Sequence, residues 1–189
     1  MNAKLMELLT ATTFELLSGL IGTIIGAILA YIFAQKQFNI QKETDEQRMQ
    51  LDTALAFLDE FVSDQFAQDR RRASKILRQH IKEENLDKFY PKLTDEQKQP
   101  IIRVLSFFRR LQLTIQFDRI DTQIVLELLS GEFIHWYYVY LKNLVPSNWS
   151  TKKHLIKLND WLVENLDGDE YEYKKKKAEA TRKKRIEET

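Results

Sequence analysis

Cysteine is absent from the 189 residues of this chain. Its absence excludes disulfide bonds, thiolate zinc sites, iron–sulfur ligation and a cysteine nucleophile. Histidine is scarce as well: His80, His135 and His154 are scattered, and none has a second ligand at the spacing of an HExxH motif. We therefore predict no metal, no cofactor and no enzyme activity, with a Ser–His–Asp triad that meets only in the folded chain left open as an alternative.

Glycine and proline are also rare, with five and three copies. Gly19, Gly22 and Gly26 fall in one apolar stretch, which leaves only Gly131 and Gly168 elsewhere and excludes a glycine-rich phosphate loop. Charges of the two signs nearly balance, since 28 basic and 26 acidic residues lie beyond residue 35. A dedicated nucleic-acid binder needs a basic excess on at least one face, so we do not expect nucleic acid as a partner.

Residues 16–35, LLSGLIGTIIGAILAYIFAQ, contain no charged side chain. At about 1.5 Å rise per residue, such a helix is about 30 Å long, which matches the hydrocarbon core of a bilayer. The run is too long for a cleaved signal peptide, and Glu7 and Glu15 stand where a basic leader would be. We predict a single transmembrane helix, with a buried helix of a soluble protein as the alternative.

The charges that flank this stretch predict its orientation. Lys4 is the basic residue on the N-terminal side, whereas Lys36, Lys42 and Arg48 follow on the C-terminal side. Basic residues are enriched on the cytoplasmic side of membrane helices. We therefore expect a single-pass protein of the inner or plasma membrane, with its N-terminus out and its C-terminal domain cytoplasmic.

Small residues occupy every fourth position of one part of the stretch: Ser18, Gly22, Gly26, Ala30 and Ala34. At this spacing they share one helix face, on which a GxxxG pair allows a second helix to approach closely. We predict a homodimer that associates through this face. The alternative is that glycine and alanine are simply common in membrane helices.

Helical periodicity runs on through residues 36–166 and predicts an all-α fold, with a stalk and a cytoplasmic bundle of about five helices. Ser63, Thr94 and Asp121 are typical N-cap residues, and Thr94 opens a capping box. Pro100 predicts a kink or a second helix start near Gln99. The stripe predicted to face the core from the first helix comprises Leu51, Ala54, Leu55, Leu58, Phe61 and Val62.

Aromatic residues are dense in residues 132–145, EFIHWYYVYLKNLV, which follow Gly131. The glycine predicts that one helix ends and another begins at this point. Helical spacing favours large core residues, while a cage for a cationic ligand and a base-stacking surface are alternatives. The main stripe comprises Phe133, Trp136, Tyr137, Tyr140 and Leu144.

Basic residues form three clusters that could contact anions. Arg70, Arg71 and Arg72 could bind phosphate, but they point in different directions on a helix, which favours a solvated helix start. Residues 167–189 are almost entirely polar, which predicts a charged, flexible tail that cannot bury enough surface to fold. The candidate contacts of this tail to anionic lipid are Lys174, Lys175, Lys176, Lys177, Arg182, Lys183, Lys184 and Arg185.

One set of residues carries a resemblance to a known family: Phe107, Phe108, Ile120, Asp121, Phe133 and Trp136, which follow a single apolar stretch and a charged helix. In this order they resemble a family of small bacterial membrane-anchored helical proteins classed as a domain of unknown function. The resemblance covers the predicted span and the middle of the soluble part, and it implies no enzyme activity.

Together these features favour a non-enzymatic, membrane-tethered helical scaffold or recruitment protein. Such a protein would associate with itself through its span and bind a protein partner of unknown identity. The alternative is a membrane-anchored sensor or effector in a stress or phage-defence response that contacts nucleic acid or anionic lipid. An unrecognised hydrolase ranks below both.

Overall fold

The computed structural model describes the backbone of residues 3–82 and 85–188, and the side chains of residues 23, 26–82 and 85–188. Within these ranges the chain forms seven helices, a short 3₁₀ helix at Tyr90–Lys92 and no strand, which confirms the predicted all-α class. The chain divides into two units, residues 1–47 and 48–189.

The first unit is part of α1, whose bounds are Ala3–Val62. The predicted membrane span, residues 16–35, falls within α1, but the side chains of residues 16–22, 24 and 25 lie outside the described part. Where side chains are described, no helix is both long enough and apolar enough to cross a membrane. Residues 26–47 are all exposed, among them the large apolar side chains of Ile28, Ile32 and Phe33.

The second unit contains the end of α1 and six further helices. These are α2 (Asp64–Gln79), α3 (Leu86–Phe89), α4 (Asp95–Gln116), α5, α6 (Ser150–Asn165) and α7 (Gly168–Glu187). We use α5 for five consecutive stretches, Thr122–Ile124, Val125–Leu129, Ser130–Trp136, Tyr137–Leu141 and Lys142–Leu144, of which the second and fourth are π-helical. Helices outnumber the prediction because α3 is a short additional helix and α7 forms in the segment predicted to be a flexible tail.

Side-chain caps place the starts of three helices where the sequence predicts them. Ser63 accepts a backbone N–H at the start of α2, and Asp121 accepts two at the start of α5. Thr94 and Gln97 form both hydrogen bonds of a capping box at the start of α4. Pro100 lies inside α4, so the predicted second helix start near Gln99 is not present. The helix lacks one backbone hydrogen-bond donor at Pro100 and continues past it, with the proline ring buried.

The core of the second unit is aromatic at its centre. Phe107 on α4 is fully buried, and its ring centroid lies 5.5 Å from that of Phe57 and 5.6 Å from that of Phe61, both on α1. The ring of Phe66 on α2 is 4.9 Å away. Phe107 therefore joins three helices, and its edge-on and tilted contacts add to the burial of apolar area.

The predicted stripe of α1 is too wide on one side. Ala54, Phe57 and Phe61 are buried, and because they lie within one narrow sector of the helix they define its core-facing side. The predicted stripe omitted Phe57, whose burial shows that the core-facing side is centred on Ala54, Phe57 and Phe61. The apolar residues on one flank of the predicted stripe therefore face away from the core. The residues wrongly assigned to the core are Leu51, Leu55 and Val62, which are exposed.

α5 passes through Ser130 and Gly131 without ending, so the predicted helix boundary there is wrong. A glycine in a helix costs about 1 kcal/mol relative to alanine, which the burial of neighbouring Phe133 and Ile134 easily exceeds. All residues from 136 to 141 are buried, which makes α5 a central helix that is covered on every side. The prediction that its aromatic residues belong to the core is confirmed.

The segment predicted to be a charged, flexible tail forms α7, and the structure corrects that expectation. Asp167 caps the helix, and the side chains of Tyr171 and Ala178 are buried. The Tyr171 hydroxyl donates to Asn159 Oδ1 on α6 over 2.8 Å and lies 2.8 Å from the Tyr138 hydroxyl on α5. Two buried positions and these buried hydrogen bonds hold a helix whose overall composition is almost entirely polar.

Candidate functional site

The predicted association face of the span is described only in part. The side chains of Ser18 and Gly22 lie outside the described residues. Gly26, Ala30 and Ala34 are exposed on α1, and no described atom beyond the helix's own backbone approaches within 4 Å of the point where a Cβ on Gly26 would lie. The described part of this face is therefore open to an incoming helix.

The predicted lipid contacts on α7 divide into two groups. Lys174 donates to Ser130 Oγ over 3.0 Å, and Arg182 donates to the Val139 carbonyl oxygen over 2.9 Å, so both tie α7 to α5. Lys175 pairs with a carboxylate on its own helix, and Arg185 lies over an aromatic ring of α5. The basic side chains that remain exposed are Lys176, Lys177, Lys183 and Lys184.

A cleft of about 260 Å³ lies between α2 and α5. The side chains that give it chemical character are Arg70, Arg71 and Ser74 from α2 and Glu132, His135 and Tyr140 from α5. We call this set the basic cleft. The helical spacing of 70, 71 and 74 on α2 and of 132 and 135 on α5 turns each group toward one groove.

Arg70 forms one wall of the basic cleft and is held in place. Its guanidinium carbon lies 3.7 Å from the ring centroid of Phe61, and its Nη2 donates to the Phe61 carbonyl oxygen over 3.0 Å. Nη1 is 3.7 Å from a carboxylate oxygen of Glu132. Burial lowers the pKa of Arg70, with Glu132 acting in the opposite direction. Within the described residues its Nε is buried and has no hydrogen-bond partner.

Ser74 and Tyr140 form a hydroxyl pair across the cleft, with their oxygens 2.8 Å apart. The Tyr140 ring is fully buried, and the guanidinium carbon of Arg185 lies 5.1 Å from its centroid. Each hydroxyl carries a single proton and only one of the two protons is used in the mutual bond. The pair therefore retains one donor for a further acceptor.

His135 is half-buried at the edge of the same cleft. Burial lowers its pKa below the usual 6.5, Arg185 and Lys177 of α7 lower it further, and Glu132 raises it. The imidazole is therefore neutral at pH 7 and offers one donor and one acceptor nitrogen. The charged groups around it are predominantly positive.

The other two histidines serve packing. The ring of His80 stacks on that of Phe89 with a centroid distance of 3.9 Å, and His154 Nδ1 lies 2.6 Å from Gln112 Oε1. Burial lowers the pKa of His154, with Arg109 and Lys157 acting in the same direction. In the part of the chain that the structure describes, His, Asp and Glu form no group of three that could hold a metal ion.

A second cleft, of about 360 Å³, lies between α2 and α4, but its charges pair with one another. Asp69 is buried and accepts from Arg103 Nη1 over 2.6 Å, and Glu60 accepts from Arg110 Nη2 over 2.5 Å. This arrangement contributes to the packing of the helices. In the basic cleft, by contrast, Arg71 is exposed and makes no ion pair with any described residue.

Only one wall of the basic cleft could be predicted from the sequence. The arginine run at residues 70–72 is visible as a candidate anion contact, whereas nothing in the local pattern places His135 and Tyr140 opposite it. No protein-family model, curated protein or solved structure matches the chain. The resemblance to a family of membrane-anchored helical proteins stays a prediction.

Proposed function

We propose that the protein is a non-enzymatic, membrane-tethered helical scaffold or recruitment protein whose C-terminal domain lies in the cytoplasm. The observation that supports the tether is the exposure of apolar side chains along α1. Ile28, Leu29, Ile32 and Phe33 are each more than half exposed, and no other described part of the chain covers them. Such a surface is favourable in contact with lipid or with another apolar helix and unfavourable in water.

The proposed topology predicts the labelling of two single-cysteine variants, since the natural chain offers a cysteine-free background. Asn2→Cys is expected to react with a membrane-impermeant maleimide in spheroplasts. Tyr173→Cys, at a side chain that is 67% exposed on α7, is expected to react only after lysis. The reverse pattern would exclude the proposed orientation, and release of the protein by alkaline carbonate would exclude the tether.

Self-association through the face of residues 18–34 is the second part of the proposal. Isoleucine at Gly22 and Gly26 would place branched side chains where a partner helix must approach closely. The double variant Gly22→Ile, Gly26→Ile is expected to abolish the signal in a membrane two-hybrid assay. Ile28→Leu, which preserves the size of a residue on the opposite side of the helix, serves as the matched control. Equal signals from the double variant and the control would contradict the proposed dimer.

A membrane-anchored sensor or effector that contacts anionic lipid is the second candidate function. Four exposed lysines on α7, Lys176, Lys177, Lys183 and Lys184, favour it. Basic residues near an anionic surface contribute about 1 kcal/mol each. The basic cleft gives this candidate a defined place at which to test phosphate recognition.

A further inference from the structure

We propose that the basic cleft between α2 and α5 is a binding site for a small ligand that carries a phosphate group. This proposal does not rest on the proposed tether or dimer, because every residue that lines the cleft lies within the second unit. At about 260 Å³ the cleft falls just below the usual range of ligand pockets, which suits a phosphate with a short organic substituent.

The arrangement of charge in the cleft favours an anion. Two arginines, Arg70 and Arg71, line the cleft, and Arg185 lies over the ring of Tyr140 at its base. These three positive charges face the single carboxylate of Glu132. Glu132 lies beside Arg70, whose other contacts fix it against Phe61. Arg71, which makes no ion pair with any described residue, can therefore turn toward a ligand. It lies beside the positive charge of Arg70, and a bound anion would offset the repulsion between the two.

Neutral donors favour a phosphate over a simple carboxylate. The Ser74–Tyr140 pair retains one hydroxyl proton, and the neutral imidazole of His135, which also lines the cleft, carries one N–H. Together with the guanidinium of Arg71, these donors can serve three different acceptor oxygens. A phosphate monoester presents three such oxygens, whereas a carboxylate presents two.

His135 makes the site sensitive to pH. The groups that face it are Glu132 on its own helix, Arg70 and Arg71 across the cleft on α2, and Lys177 and Arg185 on α7. A bound phosphate adds negative charge beside the ring and favours the imidazolium form. Phosphate binding and protonation of His135 therefore favour one another.

The test uses the full chain in a neutral detergent, titrated with inorganic phosphate and followed by isothermal calorimetry at constant ionic strength. Arg71→Glu is expected to weaken phosphate binding by about tenfold or more, because it reverses a charge in direct contact. The matched control is Arg72→Glu, the same change at the adjacent exposed residue, which lines a different surface. It is expected to alter the affinity by less than about twofold, since an exposed charge that does not contact the ligand is largely screened by salt.

Two further ligands distinguish the sources of the phosphate. Glycerol 3-phosphate and dihexanoyl phosphatidate share a phosphate monoester and differ in their acyl chains. Equal affinities for the two would support a soluble phosphorylated ligand, and tighter binding of phosphatidate would support a lipid headgroup, with Arg71→Glu weakening both. Two results would overturn the proposed site. One is an equal loss of phosphate affinity in Arg71→Glu and Arg72→Glu, and the other is no heat of binding at phosphate concentrations up to about 10 mM.

Discussion

Replacing Phe107 with alanine is expected to lower the free energy of unfolding of the second unit by about 3–5 kcal/mol. Phe107 is fully buried, and its ring contacts the rings of Phe57, Phe61 and Phe66. Truncation removes the buried apolar area and leaves a cavity where α1, α2 and α4 meet. Since single domains are stable by about 5–15 kcal/mol, this one change uses much of the available stability.

Urea unfolding of the full chain, followed by tryptophan fluorescence, measures this loss. Trp136, Trp149 and Trp161 all belong to the second unit, so the signal reports on its core. The matched control is Phe117→Ala at the end of α4, where the ring is 63% exposed and the change is expected to stay within about 0.5 kcal/mol. Similar losses in the two variants would show that the aromatic cluster around Phe107 is not the centre of the core.

Local features of the fold could be predicted because the residues that determine them are close in sequence. The caps at Ser63, Thr94 and Asp121 each involve side chains and backbone groups within three residues. The aromatic core of α5 follows from composition and spacing alone. In each case a window of a few residues contains all the required information.

Features that depend on distant partners could not be predicted in this way. α7 is held by the Tyr171 hydroxyl, whose partners Asn159 and Tyr138 lie 12 and 33 residues away in sequence. Its composition is that of a solvated tail, and only the fold of α5 and α6 creates a place for two buried side chains. The continuity of α5 through Gly131 also depends on tertiary contacts. Local helix propensity favours an end at this glycine, but the packing of the flanking residues keeps the helix continuous.

The basic cleft illustrates the same limit for a candidate site. Arg71 and Ser74 stand at helical spacing on α2, and Glu132 and His135 stand at helical spacing on α5. Either pair alone is compatible with a solvated surface. Their chemistry becomes specific only when the two helices pack together across about 60 residues of sequence, which no periodic pattern encodes.

Raising the pH above 10 is expected to destabilise the second unit sharply, because two of its tyrosines are buried. Burial raises the pKa of Tyr137 to about 12, and neighbouring Tyr138 and Asp160 act in the same direction. Burial also raises the pKa of Tyr171, as does its hydrogen bond with Tyr138, while the hydrogen bond to Asn159 opposes the change. Both side chains are less than a tenth exposed.

In the unfolded chain both phenols lose their protons near pH 10, whereas in the folded chain they keep them to higher pH. Between these limits the unfolded chain binds fewer protons, so the free energy of unfolding falls as the pH rises, by about 1.4 kcal/mol per pH unit for each tyrosine. From pH 10 to 11.5 the two together remove about 3 kcal/mol, because the unfolded phenols are only half deprotonated at pH 10. Lys152, whose pKa burial lowers, works in the opposite direction and reduces the net loss.

Urea midpoints at pH 9, 10, 11 and 11.5 measure this slope. Tyr137→Phe removes one of the two phenols and keeps the ring in the core, so the slope above pH 10 is expected to fall by about half. Tyr173→Phe, at an exposed ring on the same helix as Tyr171, is expected to leave the slope unchanged. If Tyr137→Phe and Tyr173→Phe gave the same slope as the natural chain, the alkaline loss would have to arise elsewhere than in the buried phenols.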